Sequence, residues 1–278
     1  MYARRLTLAI ALGLVAVPGS LIAQDRGRDR DRDSESWLDD CRDRDWDDDD
    51  RYKYCEIKEQ RLQPSGAALT ADGRQNGGIT VRGWDQREIL VRARIQTWAG
   101  SEERAREMAS EVKIETTGGR VSATGPSSGR RSSWAVSYEI FVPQRYDLDL
   151  ETYNGGIHVS DVRGRLELSA HNGGLHLDNV GGDVRGTTTN GGLHVDLEGD
   201  KWDGAGLDLR TTNGGVDLSI PGNYSATLET GTVNGGMNID FPITVQGRIT
   251  RRLTTRLGSG GPTIRAITTN GGVRIRRS

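Results

Sequence analysis

Three of the four histidines in this 278-residue chain occupy one repeating position. His158, His176 and His194 each lie four residues after the Asn of an Asn-Gly-Gly triplet and are eighteen residues apart. Asp178 and Asp196 follow His176 and His194 by two residues, so in extended chain each pair points to one side. Imidazole and carboxylate together suit zinc or a similar divalent ion, although no resident cofactor is expected. Two other readings stay open. The column is an exposed polar ladder in which the middle residue of an apolar-x-apolar strand happens to be His, or it is a protonation-sensitive patch whose members repel below about pH 6.5. It continues as Asp217, Asn238 and Arg274, which are not a uniform ligand set.

A second group is cationic. Between Ile243 and Ser278 there are eight Arg and no acid, and Arg251, Arg252, Arg256, Arg274, Arg276 and Arg277 are candidates for binding an anionic polymer. The chain holds four Lys against 33 Arg, so part of this is a general preference. The interleaved aromatics that stack single-stranded bases are missing, which argues against nucleic acid. No Gly-x-Ser-x-Gly, His-Glu-x-x-His or phosphate loop occurs, and no residue is assigned a catalytic role. Outward acids such as Asp149, Glu151, Glu167 and Asp208 are ordinary for a solvated strand face.

Cys41 and Cys55 are the two cysteines. In a compartment that permits disulfides their pairing closes a short loop and contributes about 3 kcal/mol. The aspartates between them, set against a calcium loop beginning at Asp43, place Asp45 and Asp47 correctly. However, Asp48 stands where the turn glycine belongs and Tyr54 where the bidentate Glu belongs. A solvated acidic loop is expected instead.

The elements that would position these groups follow from the triplet itself. Asn-Gly-Gly occurs seven times, at Asn76, Asn154, Asn172, Asn190, Asn213, Asn234 and Asn270. Apolar residues alternate on both flanks, as in Leu148/Leu150 before Asn154 and Ile157/Val159 after it. Intervals from Asn154 onward are 18, 18, 23, 21 and 36 residues. Copies of this size cannot bury their own apolar face, but stacked copies can. A thin repeated core also suits 34% hydrophobic content with 38 Gly and two Phe. The expected fold is all-β, a β-solenoid of the single-stranded, right-handed β-helix type. Asn154-Gly155, Asn172-Gly173, Asn190-Gly191, Asn213-Gly214, Asn234-Gly235 and Asn270-Gly271 are its structural corners, taking left-handed backbone. Stacked corner asparagines can form a hydrogen-bonded ladder. The alternative is an antiparallel meander or sandwich of Asn-Gly hairpins.

Along the chain, "MYARR" and the apolar run Leu6–Val17 read as a signal peptide over 1–23. A disordered charged linker covers 24–36 and the acidic Cys-loop 37–62. Residues 63–142 form a β-rich part with one short helix at 101–112, capped by Ser101 and facing Ala105, Met108 and Val112 inward. The repeat solenoid spans 143–278. After signal removal no apolar stretch approaches membrane-spanning length, so the expected location is periplasmic or secreted.

The run "YEIFVPQRYDLDLETYNGGIHVSDVRGRLELSAHNGGLHLDNVGGDVRGTTTNGGLHV" and the terminal "GSGGPTIRAITTNGGVRI" resemble the bacterial putative-adhesin family, a domain of unknown function similar to head-GIN auto-transporter adhesins. The resemblance covers roughly Gly66 to Arg276. It implies a β-helical repeat domain at the cell envelope and carries over no catalytic residue. The expected function is therefore non-enzymatic binding of a cell-envelope polymer, glycan or surface component. The alternatives are a polysaccharide lyase or hydrolase, and an envelope-stress or metal-binding structural protein.

Overall fold

The structure is a computed structural model and describes residues 36–39, 41, 51–240 and 251–278. The alternating residues build two ten-stranded sheets that enclose the apolar side chains between them. Each turn of the coil, or rung, gives one strand to each sheet. In chain order the rungs are β2 (Leu69–Asp72) with β3 (Ile79–Trp84), β6 (Arg120–Thr124) with β7 (Ser133–Pro143), β8 (Leu148–Thr152) with β9 (Ile157–Ser160), and β10 (Arg163–Ala170) with β11 (Leu175–Asp178). Then come β12 (Gly181–Asn190) with β13 (Leu193–Asp196), β14 (Gly206–Asn213) with β15 (Val216–Ile220), β16 (Ala226–Asn234) with β17 (Met237–Asp240), and β19 (Thr263–Asn270) with β20 (Val273–Arg277). The remaining strands are β1 (Tyr52–Leu62), β4 (Ile89–Ala99), β5 (Lys113–Glu115) and β18 (Arg252–Leu257).

Neighbouring rungs pair parallel and in register: Leu148 lies beside Leu166, Leu166 beside Val184, and Val184 beside Leu207. This pairing excludes the meander of hairpins and makes the fold all-β and solenoid-like. Among the described residues, the antiparallel strands lie outside the stacked rungs, so both sheets are mixed. The coil also reaches back before residue 143, since β2, β3, β6 and β7 belong to the same two sheets.

The corners differ from expectation in their physics. No residue of the seven triplets has a positive φ. The first glycine is needed because the rungs touch there. A Cβ on Gly155, Gly173, Gly191, Gly214, Gly235 or Gly271 would lie 1.9–2.2 Å from a glycine carbonyl oxygen of the adjacent rung. The same carbonyls accept hydroxyl hydrogen bonds from buried threonines two residues before the corner. Thr152 donates to Gly77, Thr188 to Gly173, Thr211 to Gly191 and Thr268 to Gly214, at 2.6–2.7 Å. Left-handed backbone appears at the opposite corner, at Asp161 (φ 58°) and Asn179 (φ 48°). There Asn179 Nδ2 donates to Asp161 Oδ1 at 2.6 Å.

Spatial order departs from chain order at both ends. The rung β2–β3 lies between β6–β7 and β8–β9, and β19–β20 lies between β14–β15 and β16–β17. The corner asparagines record this order. Their side-chain amides form one ladder, Asn76, Asn154, Asn172, Asn190, Asn213, Asn270, Asn234, with N–H···O distances of 2.7–3.1 Å.

At one end β4 pairs antiparallel with β7 and β1 with β4. Helix α1 (Glu102–Glu111) packs Ala105 and Met108 beside Ala99, Tyr54 and Trp134, and Ser101 Oγ accepts the Arg104 backbone N–H. A Cys41–Cys55 disulfide ties the segment before β1 to that strand. At the other end β18 runs antiparallel on β16. The signal-peptide reading of 1–23, almost all of the 24–36 linker and the Asp43–Asp48 run lie outside the described residues.

Candidate functional site

Register places the histidines. Strands β9, β11 and β13 pair so that His158, His176 and His194 are consecutive members of one outward column on the first sheet. Thr80 precedes them, and Asp217, Arg274 and Asn238 follow in that order. Beside the column runs a groove of about 980 Å³ along the coil axis. Its floor is the second glycine of six successive corners: Gly156, Gly174, Gly192, Gly215, Gly272 and Gly236. Six rungs at the inter-strand spacing make it about 24 Å long.

The imidazoles of His158 and His176 stack at 4.4 Å with planes 12° apart, and His176 meets His194 at 4.4 Å with planes 65° apart. His194 Nε2 lies 2.9 Å from Asp196 Oδ2, and His176 Nε2 lies 3.9 Å from the same oxygen. The other Asp196 oxygen accepts from an Arg276 terminal nitrogen at 3.5 Å, while Arg276 Nε donates to Asp217 Oδ1 at 3.2 Å. His194 Nδ1 faces Asp217 Oδ2 across 4.0 Å. Of the five metal-ladder candidates, His176, His194 and Asp196 converge. Asp178 stands one rung away, in register with Asp196. His158 stacks on the group, but its Nε2 is buried without a hydrogen-bond partner.

Burial lowers the His158 and His176 pKa values below the ordinary imidazole value, and the neighbouring imidazoles reinforce the shift by repulsion. Both rings are therefore neutral near pH 7, the form that offers a nitrogen lone pair. Asp217 stands on the histidine column, where the sequence puts it, whereas the sequence groups Arg276 only with the anion-binding arginines. Aligning "GGVRIR" on its asparagine would have placed Arg276 on the adjoining column, at the same offset as Asp178 and Asp196.

The arginine candidates do not form one patch. Arg252 and Arg256 point outward from β18 on the second sheet, and Arg251 donates to the Val233 carbonyl at 2.9 Å. Arg256 donates to the Ser259 carbonyl. Arg274 and Arg276 belong to the first sheet, on the other side of the core, and Arg277 ends that strand beside Gly222. Arg274 lines the groove, whereas Arg276 is held by Asp196 and Asp217. Among the outward acids, Asp208 pairs with Arg210 and Arg265, and Glu167 with Arg185.

Fold and site thus define a solenoid-like all-β protein with a glycine-floored axial groove. The chain belongs to the Toastrack DUF4097 family, whose model matches residues 94–276. The adhesin-like family of unknown function recognised from the triplets therefore holds, with the family model starting inside β4. No curated protein matches the chain. Solved structures of similar shape include a putative cell adhesion protein from Clostridium sporogenes, at 12% identity, covering 81% of this chain and 100% of that one, with a TM-score of 0.43. A putative adhesin from Parabacteroides distasonis is 9% identical over 79% of this chain and 97% of its own, with a TM-score of 0.35. A putative lipid binding protein from the same organism is 8% identical over 81% and 96%, with a TM-score of 0.29. Likenesses at this level carry no functional argument. No helix among the described residues is long and apolar enough to cross a membrane.

Proposed function

We propose that this chain is an exported, non-enzymatic binding protein of the cell envelope, periplasmic or secreted, whose axial groove holds an extended polymer such as a glycan. One observation carries the reading: the groove repeats the same step on six successive rungs. Each step offers a side-chain-free glycine surface next to one polar group, and those groups are His158, His176, His194, Asp217, Arg274 and Asn238. A repeating ligand is matched by a repeating site, because each added unit meets the same glycine surface and another hydrogen-bonding group. The basic n-region and apolar run before Ala23 support export, and the Cys41–Cys55 bridge suits an oxidising compartment.

The test is a binding array of envelope glycans, teichoic-type polymers and anionic lipids, probed with the chain from residue 24 onward. Retention of a polymer without shortening of its chains is the expected result. Release of new chain ends would make the protein a glycan-active enzyme, and retention by lipid alone would overturn the polymer reading.

A further inference from the structure

We infer that His176, His194 and Asp196 form a binding site for a divalent transition metal, with zinc the natural occupant, on the wall of the axial groove. The inference stands independently of what the groove binds. The three donor atoms all lie within 4.8 Å of one another. Bonds of about 2.0–2.2 Å in tetrahedral geometry place ligand atoms about 3.4 Å apart, and the 2.9 Å and 3.9 Å separations here bracket that spacing. Two imidazole nitrogens and one carboxylate oxygen suit zinc and disfavour calcium or magnesium, which take oxygen ligands.

The surroundings fit the same chemistry. Without metal, the short contact of His194 Nε2 with Asp196 Oδ2 requires a proton between them. A metal bound at Nε2 takes the lone pair there, and that proton moves to Nδ1. Asp217 Oδ2 faces Nδ1 across 4.0 Å, so a small rotation gives that hydrogen a carboxylate acceptor, as metal-bound histidines ordinarily have. Arg276 engages the other oxygen of Asp196 and leaves Oδ2 for the ion. The stacked His158 ring packs against His176 and limits its rotation. His176 and His194 side chains are 46% and 31% exposed, so the fourth coordination position opens to the groove and can take water or an oxyanion.

The test is calorimetric titration of the chelator-treated chain from residue 24 onward with zinc chloride at pH 7.5, alongside the absorption spectrum of its cobalt(II) form. The expected result is a saturable site with the intense visible bands of tetrahedral cobalt. His176→Ala, His194→Ala and Asp196→Asn should each weaken it at least a hundredfold, and Asp217→Asn about tenfold, the effect of removing the acceptor that orients a metal-bound histidine. His171→Ala, which alters a ring stacked on Tyr153 at 4.5 Å, should leave it unchanged. Far-ultraviolet circular dichroism checks that each variant folds. Wild-type affinity in the folded double variant His176→Ala/His194→Ala, or no saturable binding at all, overturns the inference.

Discussion

The two glycines of a corner do different work, although the sequence presents them as a pair. The first is pressed against the next rung and the second floors the groove. Gly173→Ala puts a Cβ 2.0 Å from the Gly155 carbonyl oxygen, whereas Gly272→Ala meets nothing nearer than 3.6 Å. Overpacking of a tight site costs about 1–3 kcal/mol and occasionally more. Urea unfolding should therefore show Gly173→Ala destabilised by about 3 kcal/mol and Gly272→Ala by less than about 0.5 kcal/mol. A pH effect belongs at the same scale. Hydrogen bonding from Arg210, together with Arg265, holds the Asp208 pKa below the ordinary carboxylate value. A depressed folded pKa contributes stability that is present above the unfolded value of 3.8 and is lost as pH falls through the folded value. Thermal melts of Asp208→Asn should accordingly decline less than wild type below about pH 4.

At the scale of elements, period-two alternation and equivalent residues at equal offsets made the strands, the helix cap at Ser101 and the histidine column legible. Left-handed corners were a reasonable expectation from Asn-Gly. They failed because parallel stacking asks the corner for closeness rather than for an unusual φ. Positive φ falls instead at the opposite corner, at glycines such as Gly182 and at Asp161 and Asn179, whose short polar side chains also bond to each other across rungs. Buried threonines were visible as small residues beside each corner, but their role needs the neighbouring rung. Thr188→Val keeps the shape and removes the hydroxyl that serves the Gly173 carbonyl. It should cost about 1–2 kcal/mol in urea unfolding, the cost of leaving a buried acceptor unpaired.

For the whole molecule, the 36-residue interval between Asn234 and Asn270 reads in sequence as a long insertion before one last rung. Chain order cannot reveal that this rung enters between two others, because pairing is decided by which sheet edge is open when the chain returns. The same holds for Asn76, which joins the ladder 78 residues before its partner Asn154. The scattering of the arginines over both sheets follows from this routing. An interior position makes the last rung indispensable. A chain ending at residue 258 loses the strands that β14, β15, β16 and β17 all pair with. It should lose the single cooperative melt of the full chain, and a peptide spanning 262–278 supplied in trans should restore protection of the β16 amides in hydrogen exchange.

Seating of a polymer in the groove is read from the affinity of the array-selected polymer for wild type, Gly272→Leu and Thr254→Leu. Leucine at 272 rises from the groove floor, where its Cβ makes only an ordinary contact with the Gly236 carbonyl oxygen at 3.6 Å, and Thr254 is exposed on the opposite sheet. With all three equally folded, binding in the groove predicts at least tenfold weaker affinity for Gly272→Leu and wild-type affinity for Thr254→Leu. Equal affinity of Gly272→Leu and wild type would contradict it.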